Sequence, residues 1–66
     1  MQIHNEYGTI LGKRKCYQGE SLRVWLDDGS IQQYGAMIVP LGLKTNQRVK
    51  VVYHDKIPRY VCKLED

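Results

Sequence analysis

Apolar and polar residues alternate in short stretches along this chain, and glycine, proline or an Asx residue interrupts the alternation every several positions. A side-chain period of two marks a half-buried strand, and frequent breakers leave no room for a long helix. The clearest strand is 21–27: Leu22, Val24 and Leu26 share one face, while Arg23, Trp25 and Asp27 share the other. Further strands are predicted at about 8–17, 30–34, 47–53 and 59–64. Gly12, inside the first, predicts a bulge or sharp bend of the kind small barrels use to close. Asp28-Gly29 predicts a two-residue type I′ hairpin. That turn would pair Asp27 with Ser30 and Leu26 with Ile31, set Trp25 opposite Gln32, and set Arg23 opposite Tyr34. In the fourth strand, Val49, Val51 and Tyr53 would face the core and Arg48, Lys50, Val52 and His54 would face out. The segment 35–45, broken by Pro40 and Gly42, is expected to form a short helix or a packed loop.

Sixty-six residues make one small domain, expected to span 1–66 with flexible ends at about 1–6 and 65–66. Apolar residues at 42% and charged residues at 26% are a globular balance. The aliphatic core candidates are Ile3, Ile10, Leu11, Leu22, Val24, Leu26, Ile31, Ile38, Val39, Val49, Val51, Val52, Ile57, Val61 and Leu64. Phe is absent, so five Tyr and one Trp supply the aromatic bulk, each with a polar end that favours half-burial.

The net charge of +3 admits a polyanionic partner without demanding one. Cys16 and Cys62 form no CxxC pair, and with two distant His they form no zinc pattern. A disulfide is allowed by parity alone. With no secretory signal in view, two free thiols in the cytoplasm are expected instead. The longest apolar run is four residues, 36–39, against the ~20 a membrane helix needs, so no membrane partner is expected.

Short strands in this order, with an interruption between the third and fourth, predict an all-β fold. The form expected is a small five-stranded barrel, closed or nearly so, OB-like or alternatively SH3-like. The order of motifs also resembles a known family. Gly8-Thr9-Ile10-Leu11 opens the first strand, and the run from Leu22 to Gly29 (LRVWLDDG) forms the hairpin. Gln47-Arg48-Val49-Lys50-Val51 forms the fourth strand, and Arg59-Tyr60-Val61 starts the fifth. Over about 8–64 this resembles the S1-type OB-fold, in particular bacterial translation initiation factor one. The resemblance implies an OB barrel and contact with RNA. The chain departs from that family at Gln33-Tyr34-Gly35-Ala36-Met37, where no basic cluster follows, and at Asn46-Gln47, where the family carries Gly-Asp.

The candidate binding residues fall into three groups. Arg23, Trp25, Gln32 and Tyr34 would form one exposed hairpin face, where an aromatic beside a guanidinium stacks unpaired bases. The alternative is that Trp25 packs under the 35–45 loop. Lys13 and Lys15, sharing a face with Tyr17 while Arg14 points away, would join Arg48 and Lys50 in a groove that follows a phosphate backbone. Alternatively, the lysines only guard a strand edge. Lys56 and Arg59, near His54 and Tyr60, flank the last loop. Asp27-Asp28 is explained by its turn, and no phosphate loop, metal set or catalytic set is present, so no cofactor and no catalysis are expected. The function expected is non-enzymatic binding of RNA or single-stranded DNA by a monomer. A regulator that docks on a protein complex through the same Trp, Tyr and Arg is the alternative, and a dimer is a third case.

Overall fold

The computed structural model describes residues 2–40 and 42–64. Five antiparallel strands form one sheet: β1 (Ile3–Cys16), β2 (Gly19–Leu26), β3 (Ile31–Tyr34), β4 (Arg48–His54) and β5 (Ile57–Lys63). The only helical element described is a 3₁₀ turn, η1 (Ala36–Ile38), in the β3–β4 connection. Spatial order is β3-β2-β1-β4-β5. Three hairpin-linked strands followed by a fourth that returns beside the first make a Greek key, the arrangement of an OB-like barrel. No β3–β5 ladder is present among the described residues, so the sheet is not closed. Instead η1 lies against both β2 and β5.

The sheet nevertheless curls hard. Tyr34 on β3 and Tyr53 on β4 are three strand spacings apart, about 14 Å in a flat sheet. Their hydroxyls are hydrogen-bonded at 2.8 Å. The bend is concentrated in β1, which pairs with β4 over residues 3–9 and with β2 over residues 8–16. Gly8 belongs to both ladders. A Cβ there would lie 2.6 Å from the Trp25 carbonyl oxygen and 2.7 Å from Val24 Cγ1, so only glycine permits this approach.

The concave side holds the core: Ile10, Leu22, Val24, Leu26, Tyr34, Leu43, Val49, Val51 and Val61, with Ile38, Val39 and Tyr53 packed against it. Val52 is also buried, but on the outer face, as the alternation in β4 requires. Four expected core residues, Ile3, Leu11, Ile31 and Ile57, are exposed. Tyr34 and Leu43 take core places that the aliphatic pattern did not predict.

The β2–β3 register differs from the expected one by one residue. Arg23 pairs with Gln33, Trp25 with Ile31 and Leu22 with Tyr34. The turn is the cause. Asp28 Oδ1 accepts hydrogen bonds from both the backbone N–H and the hydroxyl of Ser30, at 2.9 and 2.6 Å. These bonds hold its carboxyl below the ordinary carboxylate range. Asp28 stays out of the left-handed region and Gly29 alone enters it, at φ +93°. The Leu26 N–H then bonds the Ser30 carbonyl, leaving a three-residue loop rather than a two-residue one. A slip of one residue turns every side chain over. Tyr34 therefore leaves the predicted binding face and enters the core, at 3% exposure. The turn with two successive left-handed residues falls at Asp55 (φ +52°) and Lys56 (φ +71°) instead.

The N-terminal segment is not a free end, since residues 3–6 pair with residues 51–54. Asp55 ties it further, by its N–H to the Gln2 carbonyl and its carboxylate to the Gln2 N–H. Met1 and residues 65–66 lie outside the described residues. Cys16 and Cys62 are free thiols. No helix among the described residues is long and apolar enough to cross a membrane.

Gly8→Ala is expected to lower stability by about 2–3 kcal/mol, through overpacking against β2. A urea titration measures this, and an unchanged midpoint would mean that β1 backs away freely. Burial, reinforced by the hydrogen bond to Tyr53, raises the Tyr34 pKa above its ordinary value of 10.0. Folding then holds a proton that the unfolded chain releases, so this contribution is complete below pH 10.0 and is lost as pH rises above it. Melting curves across the alkaline range should show that fall in wild type and a shallower one in Tyr34→Phe.

Candidate nucleic-acid interface

Side chains directly opposite one another in an antiparallel ladder lie on the same face. The registers therefore assign the outer face of β3-β2-β1 row by row. Ile31, Trp25 and Thr9 form one row, and Gln33, Arg23 and Gly12 the next. Ser21 and Arg14 form the third. Trp25 is 54% exposed, so the 35–45 loop does not cover it. That loop sends Leu43, Ile38 and Val39 to the core instead.

The predicted bulge is present: the β1–β2 register shifts between Ile10 and Gly12, and Leu11 has no partner. Its consequence is a change of phase along β1. Before the bulge the odd-numbered residues face outward; after it the even-numbered ones do. Arg14 therefore joins Arg23 and Trp25, while Lys13 and Lys15 turn to the other side, opposite Leu22 and Glu20. Lys13 Nζ lies 3.9 Å from Glu20.

The groove expected from Lys13, Lys15, Arg48 and Lys50 is not assembled. Arg48 pairs with Thr9 and Lys50 with Tyr7, on the half of β1 before the bulge. Arg48 is also engaged, since its Nη1 and Nη2 donate to the two Asp27 carboxylate oxygens at 2.7 and 2.8 Å. Nη1 donates to Thr9 Oγ1 as well, at 3.3 Å. The hydrogen bonds from Arg48 hold the Asp27 carboxyl below its ordinary range.

Lys56 and Arg59 are not part of the Trp25 face either. The β4–β5 turn sits at the start of β1, whereas the β1–β2 turn sits at its end. Arg59 falls at the irregularity between the Val52–Tyr60 and Tyr53–Pro58 pairs.

Arg14 and Arg23 differ from Arg48. Both are exposed, and neither forms an ion pair or side-chain hydrogen bond with the described residues. Between them, over Gly12, lies a cavity of about 320 Å³ lined by Leu11, Gly12, Lys13, Arg14, Ser21, Arg23 and Gln33. A second hollow of about 200 Å³ lies beside Trp25, lined by Thr9, Leu26, Asp27 and Gly29. Tyr17, at the tip of the β1–β2 hairpin, is fully exposed.

No family model, curated protein or solved structure matches the chain. Function must therefore be argued from the chemistry of the face itself. That face offers one flat aromatic, two guanidiniums without acidic partners among the described residues, and an amide. Among the described residues no three His, Cys, Asp or Glu side chains group to hold a metal.

Three residues of this face escaped the sequence pattern: Arg14, Ile31 and Gln33. Only the bulge phase and the turn register bring them beside Trp25. Gly12 was the signal for Arg14, had the phase change been carried past it. Because both arginines project into solvent, Arg14→Ala and Arg23→Ala should each leave stability within about 0.5 kcal/mol of wild type. Chemical denaturation of the two variants checks this, and a larger loss would mean that they hold the sheet together.

Proposed function

We propose that this chain is a non-enzymatic, cytoplasmic binder of single-stranded nucleic acid, RNA or DNA. It acts as a monomer through the outer face of β1, β2 and β3. The observation that carries the proposal is the half-exposed Trp25 standing one row from Arg23, which has no acidic partner among the described residues. An indole accepts any base on its π-face, worth about 1–3 kcal/mol per base. A guanidinium with no carboxylate to answer it is free to neutralise a phosphate. Strand pairs β2–β3 and the flanking loops are where OB barrels bind oligonucleotides. The hairpin residues of the S1-type resemblance, Leu22 to Gly29, include both Arg23 and Trp25. Lys13 borders the cavity over Gly12, while Lys15, Lys50, Lys56 and Arg59 contribute a diffuse positive field from other parts of the surface rather than a shared groove.

A second reading rests on a different surface. On the outer face of β1-β4-β5, Ile3, Tyr7, Ile57 and Tyr60 stay exposed around the buried Val52. Exposed apolar residues of this kind also mark protein contacts. Under that reading the chain is a regulator docked on a larger complex.

The intrinsic fluorescence of Trp25 distinguishes the two. Titration with mixed-sequence single-stranded RNA should quench it saturably, and the affinity should fall steeply with salt. Trp25→Ala should weaken binding by about 5- to 150-fold, the equivalent of one stacked base, with the far-ultraviolet spectrum unchanged. Full affinity in that folded variant would remove the stacking role. No binding at low salt, together with a partner that survives nuclease treatment, would favour the regulator.

A further inference from the structure

We propose that the notch over Gly12 is a seat for one phosphate group, gripped between Arg14 and Arg23. The proposal deepens the nucleic-acid reading, in which that phosphate belongs to the bound strand. A free phosphate-bearing small molecule is the other source with the same chemistry.

The notch is a product of the bulge. Without the extra residue, Arg14 would face the opposite side of the sheet; with it, Arg14 and Arg23 stand in adjacent rows of one face. Gly12 sits opposite Arg23 and two residues before Arg14 on the same strand, and a Cβ placed there would have nothing within 4 Å. The result is an open floor beneath about 320 Å³ of space, at the lower end of ordinary ligand pockets at roughly 300–1,000 Å³.

The walls suit an anion. Ser21 donates its hydroxyl to the Arg14 carbonyl at 3.4 Å, which steadies the backbone under the Arg14 side chain. Gln33, opposite Arg23, brings an amide that can donate. Leu11, thrown out of the ladder by the bulge, forms an apolar flank. Among the described residues no carboxylate lines the notch. Of the acidic residues at the two ends of β2, Glu20 lies by Lys13 and Asp27 is bonded to Arg48. Two guanidinium forks bordering one notch offer enough donors for several oxygens of a tetrahedral phosphate.

The test uses the full chain, labelled with ¹⁵N, and two probes. Inorganic phosphate is titrated at constant ionic strength against chloride, and an oligouridylate is titrated separately. The expected result is a saturable shift of the Gly12, Arg14 and Arg23 amides with phosphate, absent with chloride. Gly12→Leu fills the notch, and the open space and ordinary backbone angle there let it fold. Arg14→Gln is the second variant, removing one grip without filling space. Both should abolish the phosphate shifts. Each should weaken oligouridylate binding about tenfold, as loss of a charge-assisted contact does. Each should also reduce the salt slope by about 0.7.

Phosphate shifts that vanish in both variants while oligouridylate affinity is unchanged would uphold the seat and assign it to a free phosphate-bearing molecule. Phosphate binding at the notch with no oligouridylate binding would uphold the seat and overturn the nucleic-acid reading. Oligouridylate binding that quenches Trp25, with no phosphate shift at the notch and neutral variants, would overturn the seat and leave that reading standing. Phosphate shifts that persist unchanged in both variants would also overturn it.

Discussion

β1 is bonded to two neighbours at once, and the rest of the molecule follows from how it manages that. Its first half belongs to the β4 ladder and its second half to the β2 ladder, with Gly8 and Thr9 shared. A flat strand would splay the two ladders into an open sheet with no enclosed core. At Gly8, which belongs to both ladders, β1 passes so close to β2 that no side chain fits, and the curled sheet lays one ladder over the other. Only then do Val49, Val51 and Val61 meet Leu22, Val24 and Leu26. The hydrogen bond between Tyr34 and Tyr53 spans the same curvature from the other direction and ties the β3 edge to β4. His4, stacked on Tyr53 with ring centroids 4.7 Å apart, extends that aromatic contact to β1.

The outer surface is organised by phase. In a strand each side chain has two choices of face, and a single inserted residue reverses the choice for everything beyond it. The chain uses this twice. The bulge at Leu11 turns Arg14 outward and the lysines inward, and the three-residue turn at Asp27, Asp28 and Gly29 turns Tyr34 inward and Gln33 outward. The same two local irregularities therefore complete the core and compose the face that carries Trp25, Arg23 and Arg14.

Charge is distributed to the same effect. Asp27 holds Arg48, and Glu20 lies by Lys13. Both pairs are solvent-exposed and add little stability. Their greater effect is to occupy Asp27 and Glu20, the acidic residues at the two ends of β2. Arg14 and Arg23 are left as guanidiniums whose attraction is directed at whatever approaches from solvent.

Alternation, breakers and length determined much by themselves. They marked five strands, an all-β fold, a bulge at Gly12, the inward set Leu22, Val24, Leu26, Val49 and Val51, and Trp25 as an outward aromatic. These are local properties, because strand periodicity and turn chemistry act over a few residues. Boundaries shifted by a few residues because the ladders extend as far as partners exist, which is why residues 3–6 joined β1 once β4 lay beside them. Only the tertiary structure decided which cations stand together. Lys13 and Arg48 look alike in sequence, yet the bulge sends one away from the face and an aspartate from the neighbouring hairpin occupies the other. The fate of Tyr34 rested on whether Asp28 would bond to Ser30 and lengthen the turn by one residue. A choice of that size is worth little energy locally, but it is enforced globally, because only one of the two registers buries the tyrosine against the core.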